Sequence, residues 1–199
     1  KEIQTEIQDL LLYIPNVIHK TVSNGSTPED NIIIRKWGNK PVGDIEYKDH
    51  FVICDYLKLL DFPRASKMSG TGFPLYTGLG AKLERSLINY MLDFHLENHG
   101  YKELMPPYLA TRAATTTTGQ LPKLEEDMYH IPSDDLFCIP TAEVPETNIH
   151  RDEIFLEKEL PLKYVAYSAC FRKEAGSYGK ETRGLLRVHQ FNKVELVKF

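Results

Sequence analysis

Apolar residues recur near the start of the chain at Ile3, Ile7, Leu10 and Ile14, spaced 4, 3 and 4, with Glu2, Gln4, Glu6 and Gln8 between them. The spacing predicts an amphipathic helix with a heptad stripe that Pro15 ends. So short a helix is marginal alone in water, because it gains few hydrogen bonds against its nucleation cost. Two readings stay open: a helix packed on a core, or the tail of a longer coiled-coil arm. Residues 16–45 read as a connector. Asn24-Gly25-Ser26-Thr27-Pro28 is turn chemistry, and Ile32-Ile33-Ile34 is a short β-branched strand candidate.

The strongest helical pattern runs from Gly80 to Asn98, with Leu83, Leu87, Tyr90 or Met91, and Phe94 on one stripe and Gly100 placed to end it. Tyr101 to Met105 alternates as a short strand, stopped by Pro106-Pro107. Thr115 to Thr118 predicts loop, because β-branched side chains lose rotamer freedom in a helix. Residues 162–175 and 185–198 alternate as two strands about a turn-rich segment, 176–183, which predicts an antiparallel hairpin. Helices with mostly antiparallel strands predict an α+β fold.

Composition narrows the class. The chain has 199 residues, 42% hydrophobic and 26% charged, which excludes a disordered or collagen-like chain. The net charge of −4 gives no general pull toward nucleic acid, so any such contact has to be local. Cys54, Cys138 and Cys170 are sparse, odd in number and without CxxC spacing, which predicts reduced thiols and no zinc site. No run approaches the roughly 18 apolar residues of a membrane span, and no signal peptide opens the chain. Lys1 lies inside a helical pattern, which predicts a piece of something longer.

Some candidate motifs dissolve on inspection. Gly78-Leu79-Gly80 precedes a helix, but the third glycine of a dinucleotide loop would fall at Leu83, so a plain turn is the better reading. His95 and His99 share a helix face, but Leu96 stands where a zinc protease needs glutamate. The hairpin is richer. Strand alternation puts Arg172 with Glu174 on one face, and Arg187, His189, Phe191, Lys193 and Glu195 on one face of the second strand. The bland reading is a solvated face of cross-strand ion pairs. The functional one is a floor for a polar ligand. Arginine forks grip phosphate or carboxylate, Phe191 stacks a base, and Glu174 and Glu195 accept from amino groups.

The hairpin segments Phe171-Arg172-Lys173-Glu174-Ala175-Gly176 and Arg183-Gly184-Leu185-Leu186-Arg187-Val188-His189-Gln190-Phe191-Asn192-Lys193-Val194-Glu195 resemble motif 2 of the class II aminoacyl-tRNA synthetases, in the bacterial seryl branch. Gly100-Tyr101 to Pro106-Pro107, with the helix before it, is similar to motif 1, whose proline matches Pro107. Pro140-Thr141-Ala142-Glu143-Val144-Pro145 resembles the Thr-Ala-Glu element of the seryl enzymes, and Gly119 to Lys123 and Ser69-Gly70 also fit. Gly72 departs, standing where relatives often carry arginine, and motif 3 is absent.

The resemblance implies a class II catalytic domain over 46–199, incomplete at its end, a connector over 16–45, and the end of a tRNA-binding coiled-coil arm over 1–15. It implies serine activation with ATP and Mg²⁺, then transfer to tRNA(Ser), with tRNA(Sec) where present. Arg172 would be the catalytic group, holding the α-phosphate and the serine carboxylate. Lys173, Glu174, Val188 and Phe191 would complete the ATP site, Glu174 at the adenine amino group and Phe191 stacked on the ring. Thr141, Ala142, Glu143 and Glu195, with Arg172, would bind serine, and Glu195 would neighbour Mg²⁺. Lys180 and Arg183 would meet the tRNA acceptor end, and Pro107 with the 81–98 helix would build a homodimer. The setting would be cytoplasmic, away from membranes, and this stretch alone inactive. The alternatives are an amino acid:carrier-protein ligase, which the heptad at Ile3 to Ile14 counts against, and a non-catalytic synthetase-like binding or regulatory dimer, which the intact site residues count against.

Overall fold

The computed structural model describes residues 2–40, 43, 46–175 and 184–199, in two units, Lys1–Lys48 and Asp49–Phe199. In the first unit, helix α1 spans Glu2–Leu11. Its stripe residues Ile3, Ile7, Leu10 and Ile14 are all exposed. The turn at residues 24–28 is closed by Asp30, whose Oδ2 accepts from the amides of Ser26 at 2.7 Å and Thr27 at 3.0 Å. Those two bonds hold the Asp30 carboxyl below its usual range. Ile32-Ile33-Ile34 forms no strand and is exposed, contrary to expectation. β-Propensity expresses packing against a neighbouring strand, and these residues have none among those described.

The second unit opens with α2 (His50–Tyr56) and α3 (Phe62–Ser69), each capped by an aspartate: Asp49 accepts from Phe51 N and Asp61 from Arg64 N. The long helix α4 spans Leu79–His99 and ends where Gly100 turns left-handed at φ 65°. A Cβ on Gly80 would collide with the carbonyl of Leu59, so the Gly78-Leu79-Gly80 turn is needed for close backbone approach. The face of α4 set against the sheet carries Gly80, Glu84, Ile88 and Leu92. The stripe read from sequence, Leu83, Leu87, Tyr90 and Phe94, is the exposed face.

Strand β1 (Lys102–Leu104) pairs in parallel with β5 (Lys163–Phe171), and β5 pairs antiparallel with β6 (Gln190–Lys198), giving the order β1-β5-β6. A smaller antiparallel sheet has the order β2-β4-β3, from β2 (Leu109–Thr111), β3 (His130–Ile131) and β4 (Leu136–Cys138). Helix α5 (Arg112–Thr117) lies between β2 and β3 in sequence, and α6 (Glu143–Asn148) between β4 and β5.

Helix α5 overturns the loop expected at Thr115 to Thr118. Thr111 caps it, and the threonine hydroxyls bond back to its carbonyls, Thr115 and Thr116 to Arg112 O at 2.9 and 2.8 Å and Thr117 to Ala114 O at 2.9 Å. Thr115 is fully buried, so tertiary packing outweighs its weak helix propensity. Ala110, Ala114, Ile139 and Val144 form one buried cluster, and Leu121, Met128 and Phe137 another.

The hairpin is shorter than the alternation predicted. β5 ends at Phe171 and β6 starts at Gln190, so Arg172, Glu174, Arg187 and His189 stand beyond the strands. Pairing reaches one step further through Arg172 N to His189 O at 2.9 Å, and then the chains diverge. Residues 176–183, with Lys180 and Arg183, lie outside the described residues.

Candidate active site

Strand periodicity sorts β6 into two faces. Asn192 points toward α4, its Nδ2 donating to Glu84 Oε1 at 3.0 Å. Phe191, Lys193 and Glu195 point the other way, opposite Cys170, Ser168 and Ala166 of β5. These small β5 residues are buried and leave the volume above the sheet to their β6 partners. The segment 140–143 crosses that face, and Thr141 Oγ1 donates to Glu195 Oε2 at 2.9 Å.

A cavity of about 280 Å³ opens there, bounded by Gln120, Asp127, Thr141, Glu143, Arg172 and Lys193 among others. Residues from four separate stretches of chain converge on it. Arg172 reaches in from the end of β5. Its Nε donates to Pro140 O at 3.3 Å, and its guanidinium lies 5.0 Å from the centre of the Phe191 ring, a cation–π contact. Thr141 and Ala142 are buried, and Glu143 is exposed toward the cavity at the start of α6.

Glu174 and Lys173, read from sequence as part of the nucleotide site, follow Arg172 beyond the end of β5. Glu174 adopts φ 50° and pairs with Arg187 at 3.1 Å. Lys173 places its Nζ 6.0 Å from the centre of the Tyr129 ring. Val188 is buried. Pro107 is exposed beyond β1, away from this cavity, and lines a second one of about 410 Å³. Gly72 is tied to the rim as well: its carbonyl accepts from His189 N at 2.8 Å, and a Cβ at its φ of 83° would strike the His189 ring. An arginine there would need this backbone to change.

Three residues escaped the sequence reading as site members. Lys193 was placed on the right face but given no role. Its Nζ donates to Thr141 Oγ1 at 3.0 Å and is ion-paired with Glu195 Oε2. Asp127 anchors the rim, its carbonyl accepting from Lys173 N at 2.8 Å and its Oδ1 from Ala175 N at 2.6 Å. No local pattern marks a residue that works through a contact 46 or 48 positions away. Glu146 is 1% exposed, and neither carboxyl oxygen has a hydrogen-bond partner among the described residues. Burial foremost, then the nearby Glu195 charge, pushes its carboxyl up to about 8, with Lys193 opposing the rise. Among the described residues no group of three or more His, Cys, Asp or Glu could hold a metal ion, and no helix is long and apolar enough to cross a membrane.

A family model described as the tRNA synthetase class II core domain (G, H, P, S and T) matches residues 126–199. The serine–tRNA ligase of Geobacillus sp. (strain WCH70) is 58% identical over 199 residues, which is all of this chain and 47% of that protein. Along its whole length the chain is thus similar to seryl-tRNA synthetases. The seryl-tRNA synthetase from Pyrococcus horikoshii, solved in complex with ATP, superposes with a TM-score of 0.89 at 36% identity, over 98% of this chain and 48% of that one. The cytoplasmic serine–tRNA ligase from Naegleria fowleri, solved with AMP, gives 0.87 at 34% identity, over 98% and 46%. The chain spans about half the length of the relatives it matches. Its two-sheet arrangement with flanking helices is the class II catalytic fold expected from the motifs.

Proposed function

We propose that the protein containing this chain is a serine–tRNA ligase that forms seryl-adenylate from serine and ATP and transfers the seryl group to tRNA(Ser). The observation that carries this reading is the convergence of Arg172, Thr141 and Glu143 around one cavity above the sheet, with Glu195 bonded to Thr141 at its floor. The serine carboxylate attacks the α-phosphorus, so the protein needs no nucleophile of its own. It needs position and a cation where negative charge builds. Arg172 supplies that cation at the mouth of the cavity. Thr141 and Glu195 offer a hydroxyl and a carboxylate to a substrate ammonium and hydroxyl. An analogue without the hydroxyl leaves these groups unpaired, which is how a small polar amino acid is told from alanine.

Phe191 offers its ring to the adenine, with Val188 and Glu174 beside it, and the Arg172 guanidinium leaves that ring for the phosphate when ATP enters. Lys173 adds positive charge at the rim. Mg²⁺ is read as arriving with ATP, since the described residues assemble no resident cluster of their own. Glu195 as its neighbour requires an oxygen not spent on Thr141 and Lys193. The exposed stripe Leu83, Leu87, Tyr90 and Phe94 of α4 supports a homodimer built on that helix and Pro107. The arm at 1–15, the tRNA contacts of Lys180 and Arg183, and a cytoplasmic setting belong to the same reading. ATP–pyrophosphate exchange by the full-length protein tests it. Exchange that depends on serine is expected, and exchange driven by another amino acid instead would overturn the substrate.

A further inference from the structure

The two groups read above as the ammonium subsite already hold a cation. Lys193 Nζ lies 3.0 Å from Thr141 Oγ1 and is ion-paired with Glu195 Oε2, while the Thr141 hydroxyl donates to that same carboxylate oxygen at 2.9 Å. Thr141 Oγ1 also accepts from Glu143 N at 3.3 Å. This triangle leaves no room for a second ammonium group on the same oxygens. An alkylammonium on a flexible stem is the one protein group that copies the α-ammonium of an amino acid.

We propose that Lys193 is a built-in occupant of the ammonium subsite, which the substrate amino group must displace. The inference rests on the serine reading of the site. Lys193 keeps Glu195 paired and oriented while the cavity is empty, so the pocket neither collapses nor carries a half-buried bare carboxylate. On substrate entry the incoming ammonium takes over Thr141 and Glu195, and Lys193 turns to Glu143. Glu143 lines the same cavity, and its carboxylate has no partner among the described residues. Arg172 on the cavity wall opposes any move of Lys193 toward the phosphate side. Because the site is competent only when the lysine has left, the occupant lowers apparent serine affinity by the fraction of time it stays. A ligand lacking an ammonium group cannot expel it, which makes Lys193 a positioning residue that also selects for amino acids over hydroxy acids.

The test uses the full-length protein, with calorimetric serine titration and ATP–pyrophosphate exchange. In Lys193→Met the serine KM and Kd should fall about tenfold while kcat moves far less, since the competitor is gone but Thr141 and Glu195 remain. In Lys193→Ala, ethylammonium chloride should raise the melting temperature of the ligand-free protein and compete with serine at concentrations about tenfold below those needed in the wild type. Lys193→Gln, which keeps a donor for Thr141, stands in if the methionine variant does not fold. A folded variant whose serine KM is unchanged or raised overturns the proposal while leaving the serine reading standing. A wild-type protein that neither binds nor exchanges serine removes both.

Discussion

The floor and the rim of the cavity are built by different physics. The floor, Thr141, Lys193 and Glu195, is set by strand β6 and the short segment crossing it. Period-two alternation fixes where those side chains point, and their mutual bonds of 2.9 and 3.0 Å leave little freedom. The rim, Arg172, Glu174 and Arg187, stands past the strand ends. It is held by scattered contacts outside the sheet ladder: Asp127 under Lys173 and Ala175, Pro140 under Arg172, and Gly72 under His189. The contrast separates recognition from reaction. On the proposed function, the floor locked in a sheet would take the small amino acid, and the rim outside the ladder would take the nucleotide that must enter and leave.

The sharpest way to break the comparison is at the rim. Arg172→Ala should lower exchange by about 10³-fold, the scale of losing a preorganised charge at a reacting phosphorus, with the fold intact by circular dichroism. Retained activity would remove Arg172 from its role. At the floor, Glu195→Gln should lower kcat/KM for serine by about a hundredfold with little change in the KM for ATP, because the proposed ammonium subsite loses its counter-charge while the nucleotide side is untouched. An equal effect on both substrates would mean that floor and rim are not separate.

Beneath the floor, Glu146→Leu should stabilise the protein by roughly 1–3 kcal/mol near neutral pH, since a buried carboxyl without a partner gives way to an apolar group of similar size. The sign follows from the proton count. With its carboxyl raised from 4.5 to about 8, folded Glu146 keeps a proton that the unfolded chain has lost. Wild-type stability therefore falls as pH climbs from 4.5 to about 8 and levels beyond, with a slope of at most about 1.4 kcal/mol per pH unit. Melting temperatures across that range should converge for wild type and variant at the acid end. The smallest effect is expected from Arg187→Ala. Its pair with Glu174 is part-exposed, so stability should change by under about 1 kcal/mol. The KM for ATP should rise about threefold as Glu174 loses a tether. A change in the serine KM instead would place Arg187 with the floor.

Much of the site was legible before any fold was known, and the exceptions are instructive. Phe191, Lys193 and Glu195 announce a shared face because a strand needs only period two to define one. Arg172 and Glu174 were read on the same principle, but the strand ends at Phe171 and Glu174 turns to φ 50°. Alternation in sequence continues past the point where hydrogen bonding stops. Helix α5 was missed because propensity weighs the threonines singly, whereas Thr115 is buried and the hydroxyls bond back to the carbonyls of Arg112 and Ala114. The α4 stripe shows the limit most clearly. Two apolar faces lie on one helix, and pattern alone cannot say which one the sheet takes. Gly80 and Ile88 go inward because only a residue without a side chain fits against the Leu59 carbonyl.

By itself, then, the sequence determined the long helix, the two strands of the hairpin, the α+β class and the motif residues that resemble those of a class II synthetase, since these rest on local periodicity and on short words of chain. Only the tertiary structure decided that Thr141 meets Glu195 across 54 positions, that Lys193 fills the space between them, and that Glu146 is buried beside them with no partner among the described residues. Those facts depend on which chain segments come within hydrogen-bond distance and on how much water is left around a charge, and neither is written in any local run of residues.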